Sequence, residues 1–130
     1  MTASDRRILV IEDDPSTLTL LANRIQALGY ECLPAETGGE GLAIAAAEAV
    51  DVVLLDVRLP DIDGFQVLPA LLASRPALPV IMMTAHGASA MIDQAVAAGA
   101  ITLLLKPISR HDLNSAIARA LPQPGQPLEP

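Results

Sequence analysis

Four short apolar runs in this chain each lead into a charged or hydroxyl-bearing residue that could serve a site, and that pattern constrains the fold more than any other feature. Ile8-Leu9-Val10-Ile11 runs into Glu12-Asp13, and Val52-Val53-Leu54-Leu55 into Asp56. Val80-Ile81-Met82-Met83 ends at Thr84, and Ile101 to Leu105 at Lys106. The remaining run, Glu31 to Ala35, is weaker and contains Pro34. Short runs rich in β-branched residues read as strands, the Asp51–Asp56 run as one buried on both faces. A charge at the end of such a strand is either a fault or a site.

Helical segments separate the runs. Asp14 followed by Pro15 marks a helix start, an N-cap and then the first helical position. Leu18, Leu21, Ile25 and Leu28 recur at helical spacing behind it, and Gly29 closes the helix. Thr37-Gly38-Gly39-Glu40 matches a capping box, with an Ala-rich helix expected over Leu42–Ala49. Asp63 with Gln66 opens a third helix, whose Leu68, Leu71 and Leu72 face the core; Pro69 should bend it or cost stability, and Pro76 ends it. After a loop over His86–Ser89, Met91, Ile92, Ala95 and Val96 stripe a fourth helix that stops at Gly99. Ser109 caps a fifth, with Asp112 three residues on, and it buries Leu113, Ile117 and Ala120. Asp61 reads as a turn residue.

Strand and helix thus alternate five times, which implies an α/β fold with a parallel sheet and helices on both faces. Pro34 cannot donate to a ladder, so the second strand belongs at an edge. Right-handed crossovers then favour a doubly wound sheet of order 2-1-3-4-5, whose ligand crevice lies beyond the carboxyl ends of strands one and three. Glu12, Asp13 and Asp56 end those two strands, and Thr84 and Lys106 end the next two.

At 130 residues the chain is expected to be one domain over 1–121, with a Pro-rich tail or the start of a linker at 122–130. Hydrophobic residues at 52% against 18% charged exclude disorder for its body, and 2% aromatics demand an aliphatic core. A net charge of -7 argues against direct binding of nucleic acid or an anionic membrane and points to a cation as ligand. The single cysteine, Cys32, allows no internal disulfide and no Cys metal cluster, and reads as a small buried thiol. With no signal peptide and no run long enough to span a bilayer, the expected location is cytoplasmic.

Three carboxylates in one crevice raise one another's pKa unless a cation neutralises them. Oxygen donors without His or Cys suit Mg²⁺ or Mn²⁺. Magnesium takes only one or two carboxylates, which leaves a carboxylate oxygen free to act as a nucleophile and accept a phosphoryl group. The Lys106 ammonium and Thr84 hydroxyl would hold the oxygens of that group, and phosphoryl transfer asks for little beyond such positioning and charge stabilisation.

The set Glu12-Asp13, Asp56, Thr84-Ala85 and Lys106-Pro107 resembles the receiver domain of bacterial two-component response regulators. The resemblance spans roughly Arg7 to Leu121 and implies a (βα)5 flavodoxin-like fold. The 2-1-3-4-5 order is already known for this family, so it is not an independent result. The resemblance further implies that Asp56 accepts a phosphoryl group from a histidine kinase or a histidine phosphotransfer protein. Asp13, Asp56 and the backbone carbonyl of Arg58 would ligate Mg²⁺, Glu12 would hold a metal-bound water, and Lys106-Pro107 would be cis. A homodimer or output partner would use the surface of helix four, strand five and helix five. The Arg58 and His86 side chains flank the site and would tune access of water to the phosphoryl group.

One position departs from the family pattern. Leu103 stands three residues before the lysine, where a Tyr or Phe is usual, so the expected switch is muted or differently transmitted. Leu103 also keeps open a second class, a pseudo-receiver that binds partners without phosphorylation. A third class, a Mg²⁺-dependent aspartyl phosphohydrolase, usually carries a second aspartate two residues past the nucleophile, and here that residue is Arg58.

Overall fold

The computed structural model describes residues 6–87 and 89–121. The alternation seen in the sequence becomes β1 (Arg7–Ile11), α1 (Pro15–Ala27), β2 (Glu31–Ala35), α2 (Gly38–Ala47) and β3 (Val52–Asp56), followed by α3 (Gly64–Ser74), β4 (Val80–Thr84), α4 (Ser89–Ala97), β5 (Thr102–Leu105) and α5 (Arg110–Ala120). The strands form one parallel sheet ordered β2-β1-β3-β4-β5. Pro34 lies on the edge strand, aligned with Val10 of β1, where its missing N–H leaves no ladder bond broken on the open side.

Side chains alternate across the strands and build two apolar layers. Ile8, Val10, Val52, Leu54, Ile81 and Met83 pack with Leu18, Leu21 and Ile25 of α1 and Leu113, Ala116 and Ile117 of α5. Leu9, Ile11, Val53, Leu55, Val80 and Met82 pack with Ala45 of α2, Val67, Leu68 and Leu71 of α3 and Ala95 of α4. Every residue of β3 and β4 is buried. Each buried aliphatic side chain stabilises the fold by about 1.5–3 kcal/mol relative to exposure, so the sheet is a rigid platform for whatever its strand ends carry.

Several local expectations are corrected. Helix α2 runs from Gly38 to Ala47 rather than over Leu42–Ala49, because its first N–H groups find acceptors despite the two glycines. The Thr37 hydroxyl accepts from the Glu40 N–H at 3.0 Å. The Glu40 carboxylate bonds the Glu36 N–H at 2.7 Å, one residue earlier than a capping box requires. Gln66 reaches Asp63 through its backbone N–H at 2.8 Å, while the Asp63 carboxylate caps the Phe65 N–H at 2.7 Å. Leu28 and Val96, expected on buried stripes, are 37% and 50% exposed. Leu28 is the C-cap of α1 and has turned off its buried face. Helix α4 begins at Ser89, and Ala88 of the expected loop lies outside the described residues. Pro69 lies inside α3, and the helix ends as expected, with its C-cap Arg75 just before Pro76. The tail 122–130 lies outside the described residues. No helix among the described residues is long and apolar enough to cross a membrane.

Candidate functional site

The register of the sheet assembles the site. Ile11 pairs with Leu55 across β1 and β3, so the next residues, Glu12 and Asp56, stand side by side at the carboxyl ends of their strands. Asp56 pairs with Met83 of β4, which puts Thr84 one step further along the adjacent strand. Lys106 follows β5 directly and is anchored by its N–H to the Thr84 carbonyl at 2.8 Å. The Lys106-Pro107 bond is cis.

The side chains converge. Glu12 is fully buried, and its carboxylate accepts from the Asp14 N–H at 3.0 Å and from the Lys106 ammonium. Asp56, 5% exposed, accepts from Lys106 at 2.9 Å and from the Arg58 N–H at 3.2 Å. Asp13 is exposed at the rim, yet one carboxylate oxygen from each of Glu12, Asp13 and Asp56 lies within 4.8 Å of the others. Thr84 is buried, and its Oγ1 accepts from the His86 N–H at 3.2 Å. The Arg58 and His86 side chains are exposed beside the site.

One ammonium faces three carboxylates here. Full charges within 4.8 Å of each other repel by about 3 kcal/mol or more per pair at an effective dielectric near 20, more than an exposed ion pair returns. Burial accordingly raises the Glu12 pKa above its ordinary value, against the lowering effect of its bonds from Lys106 and the Asp14 amide. Burial alone would lower the Lys106 pKa, but its bonds to Glu12 and Asp56 hold it above the usual lysine value. The donors are all hard oxygens and carry excess negative charge, a set that fits a small divalent cation of the magnesium type.

Backbone features that the sequence did not reveal shape this pocket. A Cβ at Gly64 would lie 2.3 Å from the Asp56 carbonyl oxygen and 2.8 Å from Val57 Cα. The Gly64 N–H bonds the Val57 carbonyl at 2.7 Å, so α3 starts directly on the backbone that carries Asp56. The glycine itself was the available signal, read only as part of a helix start. Asp61 is more than a turn residue: its two carboxylate oxygens accept the Gly38 and Gly39 N–H groups, each at 2.9 Å. No local pattern announces a bond to a helix so far back. Arg24 of α1 donates to the Ile108 carbonyl at 2.5 Å, behind the Lys106-Pro107 turn. Leu103 is 3% exposed, inside the layer under α2, α3 and α4. Gly87 lies against it from the loop above: a Cβ there would meet Leu105 Cδ2 at 2.5 Å, Thr84 Cγ2 at 2.9 Å and Leu103 Cδ2 at 3.6 Å.

Comparison with known proteins gives a consistent picture. Residues 8–118 match the family described as the response regulator receiver domain. The chain is 39% identical over 126 residues to the transcriptional regulatory protein GlrR of Escherichia coli (strain K12), covering 95% of this chain and 28% of GlrR. It is 36% identical over 124 residues to the photosynthetic apparatus regulatory protein RegA of Rhodobacter capsulatus, covering 93% of this chain and 67% of RegA. The crystal structure of a CheY-like response regulator receiver domain protein from Methanospirillum hungatei JF-1 superposes with a TM-score of 0.82 at 32% identity, covering 88% of this chain and 91% of the other. The chain therefore spans under a third of GlrR and about two thirds of RegA.

Proposed function

The chain belongs to the response regulator receiver domain family, and from that premise we propose that Asp56 is the phosphoacceptor of a phosphorylation-dependent switch in a two-component system. The observation that carries this reading is the convergence of Lys106 with Asp56 and Glu12, with the oxygens of Asp13, Glu12 and Asp56 clustered at the ends of β1 and β3. The donor is the phosphohistidine of a histidine kinase or histidine phosphotransfer protein. An Asp56 oxygen forms the new P–O bond as the P–N bond to the donor imidazole breaks, and the imidazole leaves as the neutral ring once protonated.

Asp13, Asp56 and the Arg58 carbonyl would hold Mg²⁺, with Glu12 one step further out. When bound, that ion neutralises charge on the oxygens of the transferring group. Lys106 swings part of its charge from the Asp56 carboxylate to those same oxygens, and Thr84 supplies a hydroxyl from the neighbouring strand. The exposed Arg58 and His86 side chains govern how water reaches the acyl phosphate. The domain serves only transfer onto and off its own aspartate. Residues 1–121 make up the receiver unit, and 122–130 form a tail or the start of a linker.

The readout is the face of α4, β5 and α5, where Val96 and Leu105 are each 50% exposed. Leu103 has no phenol or ring to reorient. Movement of Thr84 is therefore felt through its contact with the Gly87 loop and Leu105, and it changes a smaller surface than an aromatic residue would. The two alternatives, a pseudo-receiver and an aspartyl phosphohydrolase, gain no support from the relatives.

Incubation with acetyl phosphate and Mg²⁺ tests the reading. One phosphoryl adduct is expected by intact mass, absent in Asp56→Asn and absent without the metal. A folded chain that stays unmodified, or an adduct that survives in Asp56→Asn, overturns it.

A further inference from the structure

We propose that Asp61 is a positioning residue for the metal and phosphoryl pocket: by bonding two N–H groups at the start of α2, it fixes the loop between β3 and α3 and with it the Arg58 carbonyl. The inference rests on the reading of that carbonyl as a metal ligand given above.

The first support is how the start of α2 satisfies its donors. A helix leaves its first N–H groups without partners inside the helix. Glu40 N–H is met locally by the Thr37 hydroxyl at 3.0 Å, and Gly41 N–H makes the first regular helical bond, to the Thr37 carbonyl at 3.0 Å. Among the described residues, the Gly38 and Gly39 N–H groups are met by Asp61, at 2.9 Å each. The cap is thus divided between the helix's own threonine and a carboxylate from the loop that follows Asp56. Such charge-assisted bonds at the positive end of a helix are stronger than neutral ones. The Gly39 and Gly38 N–H groups also hold the Asp61 carboxyl below its usual pKa, so it stays charged.

Close packing at Gly38 gives the second support. A Cβ there would come within 2.9 Å of Val67 Cγ2 and 3.4 Å of Ile62 Cβ. The tight approach is to α3, while the loop itself lies in ordinary contact, so the carboxylate bonds sit beside close packing of α2 on α3. The loop is fixed elsewhere by the Val57 N–H, which bonds the Met83 carbonyl at 2.9 Å, and by Leu59 and Ile62, which pack against the core. Arg58 N–H bonds an Asp56 oxygen at 3.2 Å, and Gly64 N–H bonds the Val57 carbonyl at 2.7 Å. Asp61 holds the stretch between them. Magnesium demands near-ideal octahedral geometry at about 2.0–2.1 Å, so a carbonyl on a loosened loop binds it more weakly.

The test is a Mg²⁺ titration followed by amide NMR shifts, on the 130-residue chain and on Asp61→Ala, Asp61→Asn and Thr37→Ala. Residues that orient metal ligands typically change affinity by tenfold or more when removed, so Asp61→Ala is expected to raise the Mg²⁺ Kd about tenfold. Asp61→Asn, which keeps one acceptor oxygen but no charge, should fall between it and the unsubstituted chain. Thr37→Ala weakens the same helix end without touching the loop, so it should lower the Tm while leaving the Mg²⁺ Kd within about twofold. A Kd for Asp61→Ala within twofold of the unsubstituted chain overturns the inference, as does equal weakening by Thr37→Ala. Should Asp61→Ala fail to fold, the comparison of Asp61→Asn with Thr37→Ala decides. Failure of the unsubstituted chain to bind Mg²⁺ at all is a separate result, and it overturns the metal reading itself together with this inference.

Discussion

At the carboxyl ends of the strands Lys106 stands among Glu12, Asp13 and Asp56. At the amino ends Arg7 stands among Glu31 and Glu48, paired through its guanidinium at 3.2 and 3.0 Å, and Asp51, which accepts its backbone N–H at 2.8 Å. Each cluster sets one cation among three carboxylates. What differs is water. Side-chain exposure is 16% for Lys106, 0% for Glu12 and 7% for Asp56, against 34% for Arg7 and 49% for both Glu31 and Glu48. Solvent screens the Arg7 cluster, and its acids can turn away from one another. In the Lys106 cluster Glu12 and Asp56 are held at strand ends away from solvent, with Asp13 exposed at the rim, and burial first, then the Asp56 charge, raises the Glu12 pKa. Counting charges cannot separate a functional site from a surface network; desolvation can.

Lys106→Met should break the comparison most severely. The substitution keeps much of the aliphatic bulk and leaves the buried Glu12 and Asp56 without their cation. Removing one partner of a buried pair costs about 3–5 kcal/mol, and the partly buried lysine places the expectation at the low end, about 3 kcal/mol by urea denaturation at pH 7 without divalent metal. Phosphoryl incorporation should fall at the same time. The pH dependence has a definite sign. Glu12 already binds its proton more tightly folded than at its ordinary pKa of 4.5. Its contribution is therefore fully present below that value and is lost as pH rises through the raised folded value. Without Lys106 the folded value rises further, so the deficit of Lys106→Met should shrink on acidification toward pH 5. A pH-independent deficit would mean that lost packing, not unpaired charge, is responsible.

Gly64→Ala tests whether the buried end is also fixed by backbone contact. The new Cβ meets the Asp56 carbonyl and Val57 Cα, neither of which can rotate away. Overpacking of this kind costs about 1–3 kcal/mol; a loss of about 2 kcal/mol and a slower reaction with acetyl phosphate are expected. Gly39→Ala is the matched control: its Cβ would meet only the Asp61 Oδ2 at 3.3 Å, and alanine gains helix propensity, so its stability should change little. Equal losses in the two variants would remove the special status of the Asp56 backbone.

The candidate site positions were legible because of how the sheet is wound. In a doubly wound sheet, topology alone carries strand ends to one crevice, so Glu12, Asp56, Thr84 and Lys106 could be gathered from the ends of apolar runs. Pro34 marked the edge strand through a missing donor. What escaped reading depends on contacts across the fold. Asp61 bonds residues 22 and 23 positions earlier, and locally it sits between Pro60 and Gly64 in an ordinary turn pattern. Helix α2 starts earlier than local propensity indicates: Gly38, Gly39 and Gly41 disfavour a helix, and caps from Thr37 and Asp61 override that preference. Leu28 and Val96 fit a helical stripe, but periodicity assigns a face without saying where the partner layer stops. The Arg7 network has no local signature, since it needs the register of three strand beginnings and the end of α2.

The smallest expected effect falls on that network and closes the comparison from the other side. Arg7→Met removes the guanidinium bonds to Glu31 and Glu48 but keeps the backbone N–H that reaches Asp51. Exposed pairs of this kind contribute about 0–1 kcal/mol, and Met retains part of the apolar cover of the Arg stem. The expected loss is below about 1 kcal/mol. Salt supplies the sharper measurement. Near 1 M ionic strength the screening length shrinks to about 3 Å, so the Arg7→Met deficit should vanish while most of the Lys106→Met deficit remains, because little electrolyte reaches Glu12. If both deficits decline together with salt, or if Arg7→Met costs as much as Lys106→Met at low salt, burial is not what distinguishes the two ends of the sheet. The excess charge around Asp56 would then need another explanation.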